Sequence, residues 1–144
     1  MTISLALAAL ALTGAAAPNA GGADLRVEIQ GLRNAKGVVH LCLSGNAQRF
    51  LDCKGDRSAL ARTVPAGQAA ALDLGRVRPG NYALLVVHDE NSNGKLDMMM
   101  GIPREGFGFS NNPAMRPRAP RWEEIRFIMP AAPAKQDIRV RYVL

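Results

Sequence analysis

Tyr82-Ala83-Leu84-Leu85-Val86-Val87-His88 is the stretch on which the fold turns. Read as a strand, it sets Tyr82, Leu84 and Val86 on one face and Ala83, Leu85 and Val87 on the other. A strand apolar on both sides needs cover above and below, so it belongs in the interior of a sheet. Pro79-Gly80 punctuates the chain just before it. Upstream, Leu25, Val27 and Ile29 alternate with Arg26, Glu28 and Gln30, the period-two pattern of a strand with one buried face. A turn over Gly31–Gly37 leads into a second strand, Val38–Leu43. Ala61–Val64 reads as an edge strand or a short helix, and Ala69–Leu74 as extended chain. Downstream, Ile125–Met129 and Ile138–Val143 give two closing strands. About seven short strands with turn signals and no long helical period indicate an all-β sandwich.

Composition divides the chain in two. Of its 144 residues, Met1 to Ala23 carry no charge, and 15 of those 23 are apolar. All 18 Lys and Arg and all 12 Asp and Glu fall in the remainder, which is long enough to bury one core. Large multidomain enzymes and membrane bundles are excluded by length and charge. Ile3 to Ala17 reads as the apolar region of a signal peptide, too short to span a bilayer and followed by small residues and Pro18. The expected division is a signal peptide over residues 1–23 and a β-sandwich domain over 24–144, in a protein that is periplasmic or secreted. An oxidising compartment favours a disulfide between Cys42 and Cys53, which are not spaced as a redox C-x-x-C pair.

The connection Asp89–Arg121 is too long to be an idle loop in so small a domain. It opens with His88-Asp89-Glu90-Asn91-Ser92-Asn93-Gly94-Lys95-Leu96-Asp97. Calcium loops place side-chain oxygens at positions 1, 3 and 5, Gly at 6, a backbone carbonyl at 7 and a further oxygen at 9. Asp89, Asn91, Asn93, Gly94, the Lys95 carbonyl and Asp97 meet these places. Position 12, usually a bidentate Glu, is Met100. Calcium is therefore the candidate cofactor, at the weak end of the range, with Glu90 or Glu105 as the source of the missing oxygen. A metal-free turn built on Asn93-Gly94 is the competing reading.

Gly101-Ile102-Pro103-Arg104-Glu105-Gly106-Phe107-Gly108-Phe109-Ser110-Asn111-Asn112 follows. With Pro79-Gly80-x-Tyr82 and HDENSNGKLD, it resembles the signature of a family of small exported bacterial proteins, domain of unknown function 2141. The resemblance covers nearly all of Asp24 to Leu144. It implies an immunoglobulin-like or prealbumin-like β-sandwich and no assigned activity. Met98-Met99-Met100 departs from it, because that stretch is usually more polar in relatives.

Enzymatic activity is not expected. His88 and Asp89 are adjacent in an extended chain and point to opposite faces, so they form no dyad. His40 shares a face with Val38 and Cys42, which favours a packed, hydrogen-bonded role. Ser110 lies outside a G-x-S-x-G elbow and has no evident base. The alternatives are a metal-dependent enzyme or a periplasmic copper-binding protein using residues 88–115, the latter through Met98, Met99, Met100 and Met115, whose thioethers suit copper(I). Packing along the sandwich edge is the favoured role of these Met. Of the net +6, +4 lies in Gly101–Leu144, densest at Arg116-Pro117-Arg118-Ala119-Pro120-Arg121-Trp122. No nucleic acid is expected as partner. The role anticipated is a binding or accessory module of the cell envelope, with an unidentified envelope or extracellular partner and a weak contact to anionic membrane or polymer surfaces.

Overall fold

In a computed structural model that describes residues 21–144, the Tyr82–His88 stretch lies inside a sheet, as its two apolar faces require. The elements in chain order are β1 (Ala23–Gln30), β2 (Val38–Ser44), β3 (Leu60–Pro65), a 3-10 turn (Ala66–Gln68), β4 (Ala71–Val77), β5 (Gly80–Asp89), β6 (Met98–Met99), β7 (Ile102–Pro103), β8 (Gly106–Phe109), α1 (Trp122–Ile125), β9 (Phe127–Met129) and β10 (Ala134–Arg139). They form a β-sandwich. One sheet has the order β10-β1-β4, with β1 parallel to β10 and antiparallel to β4. The other has the order β3-β2-β5-β8, and β9 pairs with the first residues of β5. Residues 1–20 of the expected 1–23 signal peptide lie outside the described residues. β1 itself starts at Ala23, which is buried and registers with Val77.

The core forms where the apolar stripes meet. Leu25, Val27 and Ile29 of β1 lie against Val39, Leu41 and Leu43 of β2, Leu84 and Val86 of β5, and Ile138 of β10. Val27, Val39, Leu84 and Val86 are wholly inaccessible to solvent. At about 25 cal/mol per Å² of apolar surface, such burial supplies most of the driving force for folding. On the outer face of the larger sheet, Ala83 and Cys42 are also buried. Cys42 is bonded to Cys53, with Cα atoms 5.7 Å apart, so the bridge ties the irregular 45–59 segment onto that face.

Several expectations are corrected, among them the closing strand expected at Ile138–Val143, which lies instead at Ala134–Arg139. Asp89–Arg121 is not one long connection: it contains the β6–β7 hairpin and β8, which pairs with β5 from His88↔Gly106 to Leu85↔Phe109. Among the described residues the strand count thereby rises from about seven to ten. Gly-Phe-Gly-Phe is a weak strand signal by composition, yet here glycine is what lets the sheets close. A Cβ on Gly108 would lie 2.8 Å from the Arg139 carbonyl oxygen and from Ile138 Cγ2. The strand expected at Ile125–Met129 starts only at Phe127, because Ile125 ends a one-turn helix. The extended segment expected at Ala69–Leu74 begins instead at Ala71, after the 3-10 turn. Ala61–Val64, left open between helix and strand, is the edge strand β3.

Candidate functional site

Asp89 is the last residue of β5 and points to the outer face of its sheet, where it is 1% exposed. Beyond it the chain reverses through two residues of positive φ, Ser92 (57°) and Gly94 (73°). This reversal carries amide N–H groups back over the carboxylate. Asp89 Oδ1 accepts from Asn93 N at 3.1 Å and Oδ2 from Gly94 N at 2.7 Å. Asn91 Oδ1 accepts from the same Asn93 N–H at 3.2 Å, and Asn93 Oδ1 from Lys95 N at 2.9 Å. Short Asx side chains bonding backbone two residues on are the means by which such a loop holds its shape.

The far side of the loop closes on Asp97. Asn91 Nδ2 donates to Asp97 Oδ2 at 2.6 Å, and Asn93 Nδ2 donates to Asp97 Oδ1 at 2.9 Å. Positions 1, 3, 5 and 9 of the motif therefore come together around one turn. Lys95 joins them through its backbone, and Lys54 Nζ donates to the Gly94 carbonyl at 3.2 Å. Among the described residues, no three His, Cys, Asp or Glu side chains stand in metal-holding geometry; the convergence runs through the amides of Asn91 and Asn93.

Two acidic residues flank the loop, and they differ. Glu90 accepts from Arg33 Nε at 2.6 Å, and that guanidinium holds its carboxyl below the usual range. Glu105 is 4% exposed, and burial pushes its carboxyl upward. Its Oε2 accepts from Asp97 N at 3.3 Å, while Oε1 is buried with no hydrogen-bond partner. An open depression of about 270 Å³ lies among Asn91, Asp97, Glu90, Glu105 and the basic Arg33, Lys36 and Arg104.

His40 completes the setting of Asp89. Its Nε2 lies 3.0 Å from Asp89 Oδ2 and its Nδ1 lies 2.8 Å from Thr63 Oγ1. Burial alone would raise the Asp89 carboxyl. The His40 ring and the Gly94 and Asn93 N–H groups together outweigh burial and hold it below the ordinary value. Sequence placed His40 on the correct face but had no means of naming a partner 49 residues away.

The remaining candidates take structural places. His88 points to the inner face, fully buried, with Nδ1 2.6 Å from Tyr142 Oη and Nε2 2.7 Å from the Lys36 carbonyl. Ser110 is buried, accepts from Leu84 N at 3.0 Å and donates to the Ile125 carbonyl. The expectation that the Met residues pack along the sandwich edge is overturned. Met98, Met99 and Met100 are 51%, 46% and 97% exposed, since β6 and β7 form a separate two-stranded hairpin. Met115 is exposed as well, in the extended segment that bears Arg116, Arg118 and Arg121.

The profile of a family described as an uncharacterized protein conserved in bacteria, DUF2141, matches residues 27–137. The chain belongs to this family. The DUF2141 match runs from within β1 to within β10 and so includes both sheets and the whole Asp89–Asp97 loop. Neither the curated proteins nor the solved structures yield a match. Among the described residues, no helix is long and apolar enough to cross a membrane.

Proposed function

We propose that the protein is an exported, non-enzymatic binding module of the cell envelope whose Asp89–Asp97 loop takes up calcium. The observation that carries this reading is the convergence of Asp89, Asn91, Asn93 and Asp97 around the Gly94 turn. All four bring oxygen, the donor that a hard cation prefers, and the Lys95 carbonyl stands in the same turn. With Met100 in the twelfth place, the dissociation constant belongs at about 10⁻⁴ to 10⁻³ M, the range of extracellular modules.

Export is supported by the Cys42–Cys53 bridge, which persists in oxidising compartments. The non-enzymatic reading is supported by the commitments of both histidines and of Ser110 to structural hydrogen bonds. Arg116 and Arg121 are exposed on the 112–121 segment and suit an anionic envelope surface. The deciding experiment is a thermal melt of the full chain in EDTA and in millimolar calcium. Calcium should raise the melting temperature, EDTA should reverse the rise, and Asp89→Asn should abolish it. A wild-type melt that does not move with calcium overturns the reading.

A further inference from the structure

We propose that Glu105 is a ligand of this calcium site, entering from the segment between β7 and β8 to take the place that Met100 leaves unfilled. The inference rests on the calcium reading above and adds to it a residue outside the loop. Three observations carry it.

Met100 is excluded by position as well as by chemistry. It is 97% exposed at the tip of the β6–β7 hairpin, with φ of 53°, and its thioether is a soft donor. The hairpin that carries Met100 outward also brings the next acidic residue back. Arg104 N donates to the Asp97 carbonyl at 2.9 Å, which sets Glu105 beside the end of the loop. Glu105 Oε2 then receives the Asp97 N–H.

The second observation is Glu105 Oε1. It is buried and unpartnered, in a residue 96% removed from solvent whose carboxyl is pushed upward by burial and by the charges of Asp89 and Asp97. A buried carboxylate beside other carboxylates is costly unless a proton or a cation stands among them. Lys36 and Arg104 line the same depression, and the other basic groups nearby are committed elsewhere. Arg33 holds Glu90 and the Leu144 carbonyl, Lys54 the Gly94 carbonyl, and the His40 ring meets the Oδ2 of Asp89.

The third is ligand arithmetic. Calcium takes roughly six to eight oxygens at about 2.3–2.6 Å. Asp89, Asn91, Asn93, the Lys95 carbonyl and Asp97 supply one each, which is too few. A carboxylate from Glu105 brings the set into range, with Asn91 and Asn93 exchanging their N–H contacts to Asp97 for oxygen contacts to the ion.

The test is calorimetric titration of the full disulfide-bonded chain with calcium chloride, alongside melts in EDTA. Glu105→Gln keeps the shape of the side chain and removes its charge. It should melt in EDTA no lower than wild type and bind calcium at least about tenfold more weakly. Met100→Gln should bind as wild type does. Should the Gln variant fold poorly, Glu105→Asp, which keeps the charge on a shorter arm, should weaken calcium binding without abolishing it. Unchanged affinity in Glu105→Gln, or in Glu105→Asp should that variant be the one used, overturns the assignment of Glu105 and leaves the loop reading intact. Absence of calcium heat in wild type overturns both.

Discussion

The carboxylate of Asp89 and the imidazole of His40 meet across neighbouring strands at 3.0 Å, with the carboxylate buried and the ring one-third exposed. They are diagonal neighbours, since Val38 registers with Asp89 and His40 with Val87. Asp89→Ala would leave the Gly94 N–H without its acceptor and the Asn93 N–H with Asn91 Oδ1 alone, and should cost about 2–3 kcal/mol. His40→Ala, at a wetter position, should cost about 1 kcal/mol. Urea unfolding at neutral pH measures both. The Asp89 carboxyl lies below its ordinary value in the folded chain. Its contribution is therefore complete above the unfolded value near 3.8 and disappears as pH falls through the lower, folded value.

Reduction of Cys42–Cys53 frees the 45–59 segment from the outer face of the larger sheet. The bridge spans a sequence separation of 11, for which chain entropy gives about 3 kcal/mol. Cys53→Ser, or melting in excess reductant, should lower stability by that amount. Gel mobility without reductant gives an independent check on the bond.

Two glycines should respond differently to alanine. Gly108→Ala puts a methyl 2.8 Å from the Arg139 carbonyl oxygen, a backbone atom that cannot step aside, and should cost about 1–3 kcal/mol. Gly94→Ala meets no atom within 4 Å but holds φ at 73°, so only about 1–2 kcal/mol of backbone strain is expected. Denaturant midpoints at unchanged m-value would separate the two from wild type. A Gly108→Ala cost well below about 1 kcal/mol would refute the close approach of β8 to β10.

Glu124 accepts from both terminal nitrogens of Arg118, at 2.7 and 2.9 Å, and from Arg121 N at 2.7 Å. Arg118 first, and then the Arg121 N–H, draw its carboxyl from 4.5 down to about 2. Folded below unfolded means that its stabilisation is present above pH 4.5 and is lost as pH falls toward 2. Melting temperature followed from pH 5 to pH 2 should fall less steeply for Glu124→Gln than for wild type. Both groups are partly exposed, so the difference should shrink in high salt.

What could be read without coordinates follows the strength of the periodic signal. β1, β2 and β5 were legible because Leu25, Val27 and Ile29 alternate, and because Tyr82–Val87 is apolar on both faces. β8 was not: two of its four residues are glycine, whose purpose is seen only once Tyr142, Val140 and Arg139 are found against them. Ile125 carries the β-branched signature of a strand, yet the Glu124–Arg121 contact closes a helical turn around it. At the loop, the Asp and Asn spacing was legible, being local. The choice between Glu90 and Glu105 was not, since it depends on Arg33, far away in sequence, claiming the first.

The parallel pairing of β1 with β10, from Leu25↔Ala134 to Gln30↔Arg139, sets the order of assembly. β1 is the middle strand of its sheet, and one of its two edges stays open until residues 134–139 are present. A ribosome or a translocation channel delivering the chain from its N-terminus cannot release a finished sandwich early. The chain stays threadable until β10 has emerged, and closing so distant a pair makes folding slow. A truncation that removes β10 should thus leave the backbone edge of β1 unpaired and strip Ile138 from against Leu25, Val27 and Ile29, a template for aggregation.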